Sequence, residues 1–193
     1  MGTKFKIINK KNIYDGFFKM HEVTLKYQKY DGSWTNNIKR ELFGGAQVAA
    51  VLPYDPIKKE IVLIQQFRPG TISKNFDHYL NEIVAGIIDK DEDPESAAVR
   101  ECLEETGCKV KKLIPIQGYF PAPGSSESFY YLYLGEVETF KGSRIMGMKN
   151  ENEDIFVKSY KIEDVREKMK NGKFLNGLTL IALQWFFLNI YKN

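Results

Sequence analysis

Two apolar runs constrain the fold of this chain more than any other feature: AQVAAVLPYD from Ala46 and EIVLIQQFRP from Glu60. Both are rich in Val, Ile and Leu, and a turn at Asp55-Pro56 separates them, so they read as two buried antiparallel strands. NEIVAGII (81–88) reads as a third strand, and KLIPIQGYF (112–120), ESFYYLYLGEV (127–137) and IFVKSYKI (155–162) as further ones. Helical signals are fewer. They cover residues 93–106, the short amphipathic EDVREKMKNG stopped by Gly172, and a last segment from about Leu178. Strands with a few helices in mixed order indicate an α+β fold whose sheet lies between helices.

Residues 1–44 read as a small separate unit ahead of a main domain at 45–193. FFKMHEVTLKYQKYDG alternates in part and ends in Asp31-Gly32, a hairpin signal, and NIKRELF can pair back on it. So small a sheet buries little by itself. It is expected to pack on the main domain or on a second subunit.

A net charge of +3, with no basic stripe, argues for neither nucleic acid nor a membrane surface as partner. LTLIALQWFFLNIY (178–191) is the most apolar stretch. It falls short of the roughly 20 residues a bilayer-spanning helix needs, and reads as a buried helix. The N-terminus lacks the apolar core of a secretory signal, and Lys6 departs from the myristoylation pattern. Cys102 and Cys108 have no CxxC or CxxH partner and read as buried free thiols in a reducing compartment. The protein is therefore expected in the cytoplasm. His21 and His78 fall in no constellation and are taken as structural or surface residues.

Against this mild background, GIIDKDEDPESAAVRECLEETGC (86–108) concentrates eight acidic residues in 23. Asp93-Pro94 is a good helix start and Gly107 a good stop. At 100° per residue, Val99, Cys102, Leu103 and Thr106 share the face expected to meet the sheet, with Glu101 and Glu105 nearly opposite. Glu101, Glu104 and Glu105 crowd the last turn, where the helix dipole disfavours anions and like charges four apart repel. Arg100 is placed to pair with Glu104. Clustered oxygen ligands of this kind suit a hard divalent cation such as Mg²⁺, which most often serves a phosphate substrate.

The spacing is specific: Gly86, five residues, Glu92, seven residues, Arg100-Glu101, an apolar residue, any residue, Glu104-Glu105, any residue, Gly107, an apolar residue. This resembles the Nudix box, with Cys102 and Cys108 standing where the family usually has aliphatic residues. VLIQQFRPG, NEIVAGIIDKDEDPESAAVRE and IALQWFFL are similar to segments of the bacterial ADP-ribose pyrophosphatase subfamily. So are FPAPG (120–124), with Pro123 fifteen residues beyond Cys108, and the acidic ENEDI (151–155).

The resemblance implies an α/β/α sandwich with a mixed sheet, and an N-terminal antiparallel β unit exchanged across a homodimer. It implies Mg²⁺-dependent hydrolysis of ADP-ribose to AMP and ribose 5-phosphate, with Mn²⁺ as the alternative ion. Glu101 and Glu105 are implied as metal ligands and catalytic residues, joined by the carbonyl of Ala85 and by Glu153, with Glu151 as general base; Glu151 and Glu153 could exchange roles. Glu104 is implied to orient its neighbours through Arg100. Substrate contacts are implied for Phe17 and Phe18 (adenine), Arg40, Arg68 (diphosphate), Pro123 and Gly124. Glu127 stands one residue before the family's usual glutamate, at Ser128, and Gly44-Gly45 replaces a segment that can carry a further basic residue. The alternatives are another nucleoside diphosphate sugar such as GDP-mannose, a non-catalytic Nudix domain that senses ADP-ribose, and RNA decapping.

Overall fold

The computed structural model of the protein describes residues 4–148 and 152–192. Contacts divide the chain into two compact units, residues 1–46 with 120–129, and residues 47–119 with 130–193. The N-terminal unit therefore takes a second segment of chain beyond the expected 1–44.

In that unit β1 (Phe5–Asp15), β2 (Lys19–Tyr27) and β3 (Ile38–Phe43) form an antiparallel sheet in that order. The pairing of β2 with β3 was expected. Strand β1 was not, because FKIINKKNIYD breaks its apolar alternation with Lys and Asn, and it is exposed along its whole length. The second segment joins at β3, where Phe43 N–H donates to the Ser125 carbonyl at 2.8 Å and Glu127 N–H to the Phe43 carbonyl at 3.0 Å. Gly45 makes this approach possible: a Cβ there would lie 2.1 Å from the carbonyl carbon of Glu127. The glycine that departs from the family pattern thus has a packing reason.

The larger unit is built on an eight-stranded sheet. Its elements are β4 (Gln47–Asp55), β5 (Glu60–Phe67), β6 (Tyr79–Glu82), β7 (Val84–Ile87), β8 (Lys112–Tyr119), β9 (Phe129–Glu136), β10 (Ser143–Met146) and β11 (Ile155–Lys161). The helices are α1 (Pro94–Thr106), α2 (Ile162–Lys170) and α3 (Gly177–Asn189). The order is β10-β11-β5-β4-β9-β8, with β6 on β5 and β7 on β4. Val137 N–H bonds the Tyr54 carbonyl where β9 and β4 both end, so these strands run parallel and the sheet is mixed.

Period-two alternation along β4 explains the layers. Ala49 and Val51 pack with Ala97, Ala98 and Cys102 of α1. Ala50, Leu52 and Tyr54 pack on the other face with Val165 of α2 and with Ala182, Leu183 and Phe186 of α3. Helices cover both faces, giving the α/β/α sandwich. Cys102 and Cys108 are buried free thiols, as expected. Among the described residues, no helix is long and apolar enough to cross a membrane.

NEIVAGII is not one strand. β4 and β5 pair at Tyr54–Ile61 and Asp55–Glu60 and then part. The chain fills the split, rising antiparallel to β5 as β6 and returning antiparallel to β4 as β7, with the turn at Ile83. The buried Ile83 holds this turn by packing in the layer of α2 and α3.

Candidate active site

Helix α1 begins where expected. Asp93 accepts the N–H groups of Glu95 and Ser96, both at 3.0 Å, a cap worth about 1 kcal/mol. It ends at Gly107, whose φ of 71° is the left-handed stop that glycine favours. The buried face matches the expectation at Cys102 and Thr106 and departs from it at the other two positions. Val99 and Leu103 are 40% and 45% exposed, while Glu105 is only 3% exposed and lies inward with Ala97, Ala98, Cys102 and Thr106. Small residues let the helix lie close on β4 and β7, and the carboxylate is turned into the contact. A hydropathy rule cannot anticipate that, because it places every carboxylate outside.

Glu105 accepts the Ala85 N–H at 3.2 Å. Burial, and then the charges of Glu101 and Glu153, push its carboxyl well above the usual carboxylate range. Burial also raises Glu101, opposed by Arg100. Gly86 supplies the room for Glu101, since a Cβ at that position would come within 1.9 Å of its Oε1. Arg100 gathers the remaining acids. It donates to both oxygens of Glu92 at 3.0 and 2.9 Å, to Glu101 Oε1 at 2.7 Å and to Glu104 Oε2 at 2.9 Å. The expected Arg100–Glu104 pair is present within this larger clamp.

Glu153 comes from the loop between β10 and β11. Its carboxylate accepts the Met148 N–H at 3.2 Å and lies 3.5 Å from Gln66 Nε2. Gly147, at φ 105°, leaves space for it. Arg68 follows β5 and binds Glu82 Oε2 through Nε at 3.0 Å and Nη2 at 2.6 Å. Burial works against its charge, but Glu82, with Glu105 and Glu153 beyond, holds the guanidinium above its ordinary value. Glu101, Glu105, Glu153, Arg68 and the backbone at Ala85 are thus electrostatic neighbours in one unit. Glu82, Glu92 and Gln66 complete the arrangement; sequence reasoning gave them no role, although all three stand in the quoted motifs.

The other expected site residues belong to the N-terminal unit. Phe17, 85% exposed, and Phe18 lie edge to face at the β1–β2 turn, and Phe18 also meets Phe43. Arg40 donates to the Lys39 carbonyl. Pro123 and Gly124 lie in the joining segment, and Glu127 there is bound by Lys10 at 2.7 Å with His21 at 3.5 Å. His78 bonds the Thr71 hydroxyl and serves the loop after β5. Glu151 lies outside the described residues.

The donor set is carboxylate oxygens, a set that suits a hard divalent cation. The burial of Glu105 beside two further carboxylates calls for positive charge. Among the described residues, no three acidic, His or Cys side chains stand close enough to hold a metal ion as they are. Glu101 is turned onto Arg100 instead.

A family model described as the NUDIX domain matches residues 45–177. The ADP-ribose pyrophosphatase of Escherichia coli (strain K12) is 34% identical over 184 residues, covering 95% of this chain and 88% of that protein. The GDP-mannose pyrophosphatase of Enterobacter sp. (strain 638) is 31% identical over 186 residues and covers 96% of each. A crystal structure of an ADP compounds hydrolase superposes with a TM-score of 0.69 at 18% identity, over 94% of this chain and 91% of that one, and shares the fold.

Proposed function

The chain belongs to the NUDIX family, and on that premise we propose that it hydrolyses the diphosphate of ADP-ribose to AMP and ribose 5-phosphate. The observation that carries the chemistry is Glu105, a buried carboxylate held among like charges at the end of α1. The substrate assignment is supported by relatives named ADP-ribose pyrophosphatase at 34% identity, against 31% for GDP-mannose pyrophosphatase, both near full length.

Glu101, Glu105, Glu153 and the Ala85 carbonyl would hold a divalent cation, which we take to be Mg²⁺, with Mn²⁺ as the alternative. Bound there, it supplies positive charge that polarises phosphoryl oxygens and acidifies the attacking water. Glu151 is assigned as the general base that takes the water proton. As water adds to phosphorus, the bridging P–O bond breaks and its electrons leave on the departing phosphate. Arg68 meets the diphosphate charge, and Arg100 keeps Glu101 and Glu104 oriented. Phe17, Phe18, Arg40, Pro123, Gly124 and Glu127 are assigned to the nucleoside and ribose ends, an aromatic face being suited to a purine.

The test is product analysis by chromatography, comparing ADP-ribose with GDP-mannose in Mg²⁺. Release of AMP and ribose 5-phosphate from ADP-ribose in preference is expected. Preference for GDP-mannose would move the specificity, and ADP-ribose bound without turnover would make the domain a sensor. We further infer a homodimer, supported by β1, which exposes Phe5, Ile7, Ile8 and Ile13 along one small sheet. Light scattering is expected to give twice the chain mass, and a clean monomer would end that reading. The buried free thiols support a cytoplasmic location.

A further inference from the structure

The turn between β6 and β7 is braced from below by the first turn of α3. Asn176 caps this helix, its Oδ1 accepting the Thr179 N–H at 3.0 Å. The same side chain donates through Nδ2 to Glu82 Oε1 at 2.9 Å. Thr179 Oγ1 in turn accepts the Ile83 N–H at 3.1 Å. Adjacent residues of the turn are therefore both tied to one helix end. Glu82 is a carboxylate only 3% exposed, in a place where an unpaired charge would be strongly disfavoured. One of its oxygens takes Asn176 and the other takes Nε and Nη2 of Arg68. A lone surface arginine samples many rotamers, whereas this one is forked onto an immobile acceptor. Its Nη1 takes no part in those bonds.

We propose that Glu82 and Asn176 are positioning residues: anchored to α3, they hold Arg68 as a fixed clamp for the diphosphate. The inference rests on the hydrolase reading above and deepens it. Glu82 never meets substrate; it acts through Arg68. The arrangement also explains why an acid sits at the last residue of β6. There the split between β4 and β5 brings the α3 cap, the end of β5 and the start of β7 to one point. A guanidinium used through Nε and Nη2 presents its remaining donors in one plane, the geometry suited to phosphoryl oxygens.

The experiment is a double-mutant cycle on the full chain. Glu82→Gln keeps the shape of the side chain and removes its charge. A fall in kcat/KM of about 10²-fold is expected, the cost of a misplaced reacting partner. In an Arg68→Ala background the same change is expected to cost nothing further. Asn176→Ser retains a good N-cap residue but loses the amide donor to Glu82. It is expected to show a smaller fall, again absent when Arg68 is Ala. A purely structural role for Glu82 would instead give losses that multiply and follow the melting temperature. Multiplying losses, or parental kcat/KM in Glu82→Gln while Arg68→Ala is impaired, would overturn the proposal. Calorimetric binding of inorganic pyrophosphate in Mg²⁺ reads the clamp without turnover. Glu82→Gln must weaken it as Arg68→Ala does, or the proposal fails even if the parent protein is active. A parent that binds pyrophosphate through this pair but releases no AMP would sink the hydrolase reading alone.

Discussion

Glu105→Gln is expected to lower kcat for ADP-ribose by about 10³-fold or more, while leaving the metal-free protein at least as stable as the parent. The two effects have one origin. Glu105 is buried, and its nearest charged neighbours include Glu101 and Glu153. Without a cation, that burial disfavours the charged carboxylate and works against the fold. Glutamine is close to isosteric, keeps an oxygen for the Ala85 N–H, and carries no charge. The same charge is what a divalent ion requires. Thermal melting with and without Mg²⁺ separates these effects. The parent should gain stability when Mg²⁺ is added, and Glu105→Gln should gain little. An Mg²⁺-free melting temperature well below the parent's would show that Glu105 serves the fold. Turnover near the parental rate would remove it from the site.

Gly86→Ala should lower kcat/KM by about 10²-fold with little change in melting temperature. A Cβ at this position would stand 1.9 Å from Oε1 and 2.0 Å from Cδ of Glu101. These are atoms at the free end of a flexible side chain, so the carboxylate can swing away while the β4–β7 pairing stays. What is lost is the room over Gly86 in which Glu101, now on Arg100, can turn toward Glu105. The expected signature is a higher Mg²⁺ concentration for half-maximal activity, with unchanged far-UV circular dichroism. An unchanged Mg²⁺ requirement would show that Glu101 does not need the room that Gly86 leaves. A large fall in melting temperature would place the role of Gly86 in the strand pairing.

Much of the site could be read before any fold was known, because local chemistry carries it. Asp93-Pro94 and Gly107 set the ends of α1 through capping and backbone conformation, which depend on a few adjacent residues. Glu101 and Glu105, four apart on one helix, share a side wherever that helix lies. The apolar runs at 46–55 and 60–69 announced buried strands, and their central parts, 49–55 and 61–64, are buried. Strand β1 escaped because Lys and Asn break its apolar alternation, and its order comes from pairing with β2.

The direction in which the carboxylates face was decided by the tertiary structure alone. Periodicity turned Val99 and Leu103 inward and left Glu105 in solvent, but the sheet accepts the small-residue side of α1 and takes Glu105 with it. The turn at Ile83 was equally hidden, since VAG follows Ile83 with neither a turn residue nor a polar residue between them. It exists because β4 and β5 part beyond Tyr54–Ile61, and the chain must serve two edges at once. That split sets Glu82 against Arg68 and Asn176, residues 14 and 94 positions away. Spacing along a chain reports on neighbours a few residues apart. An ion pair on a buried carboxylate across such distances depends on the packing that brings its members together.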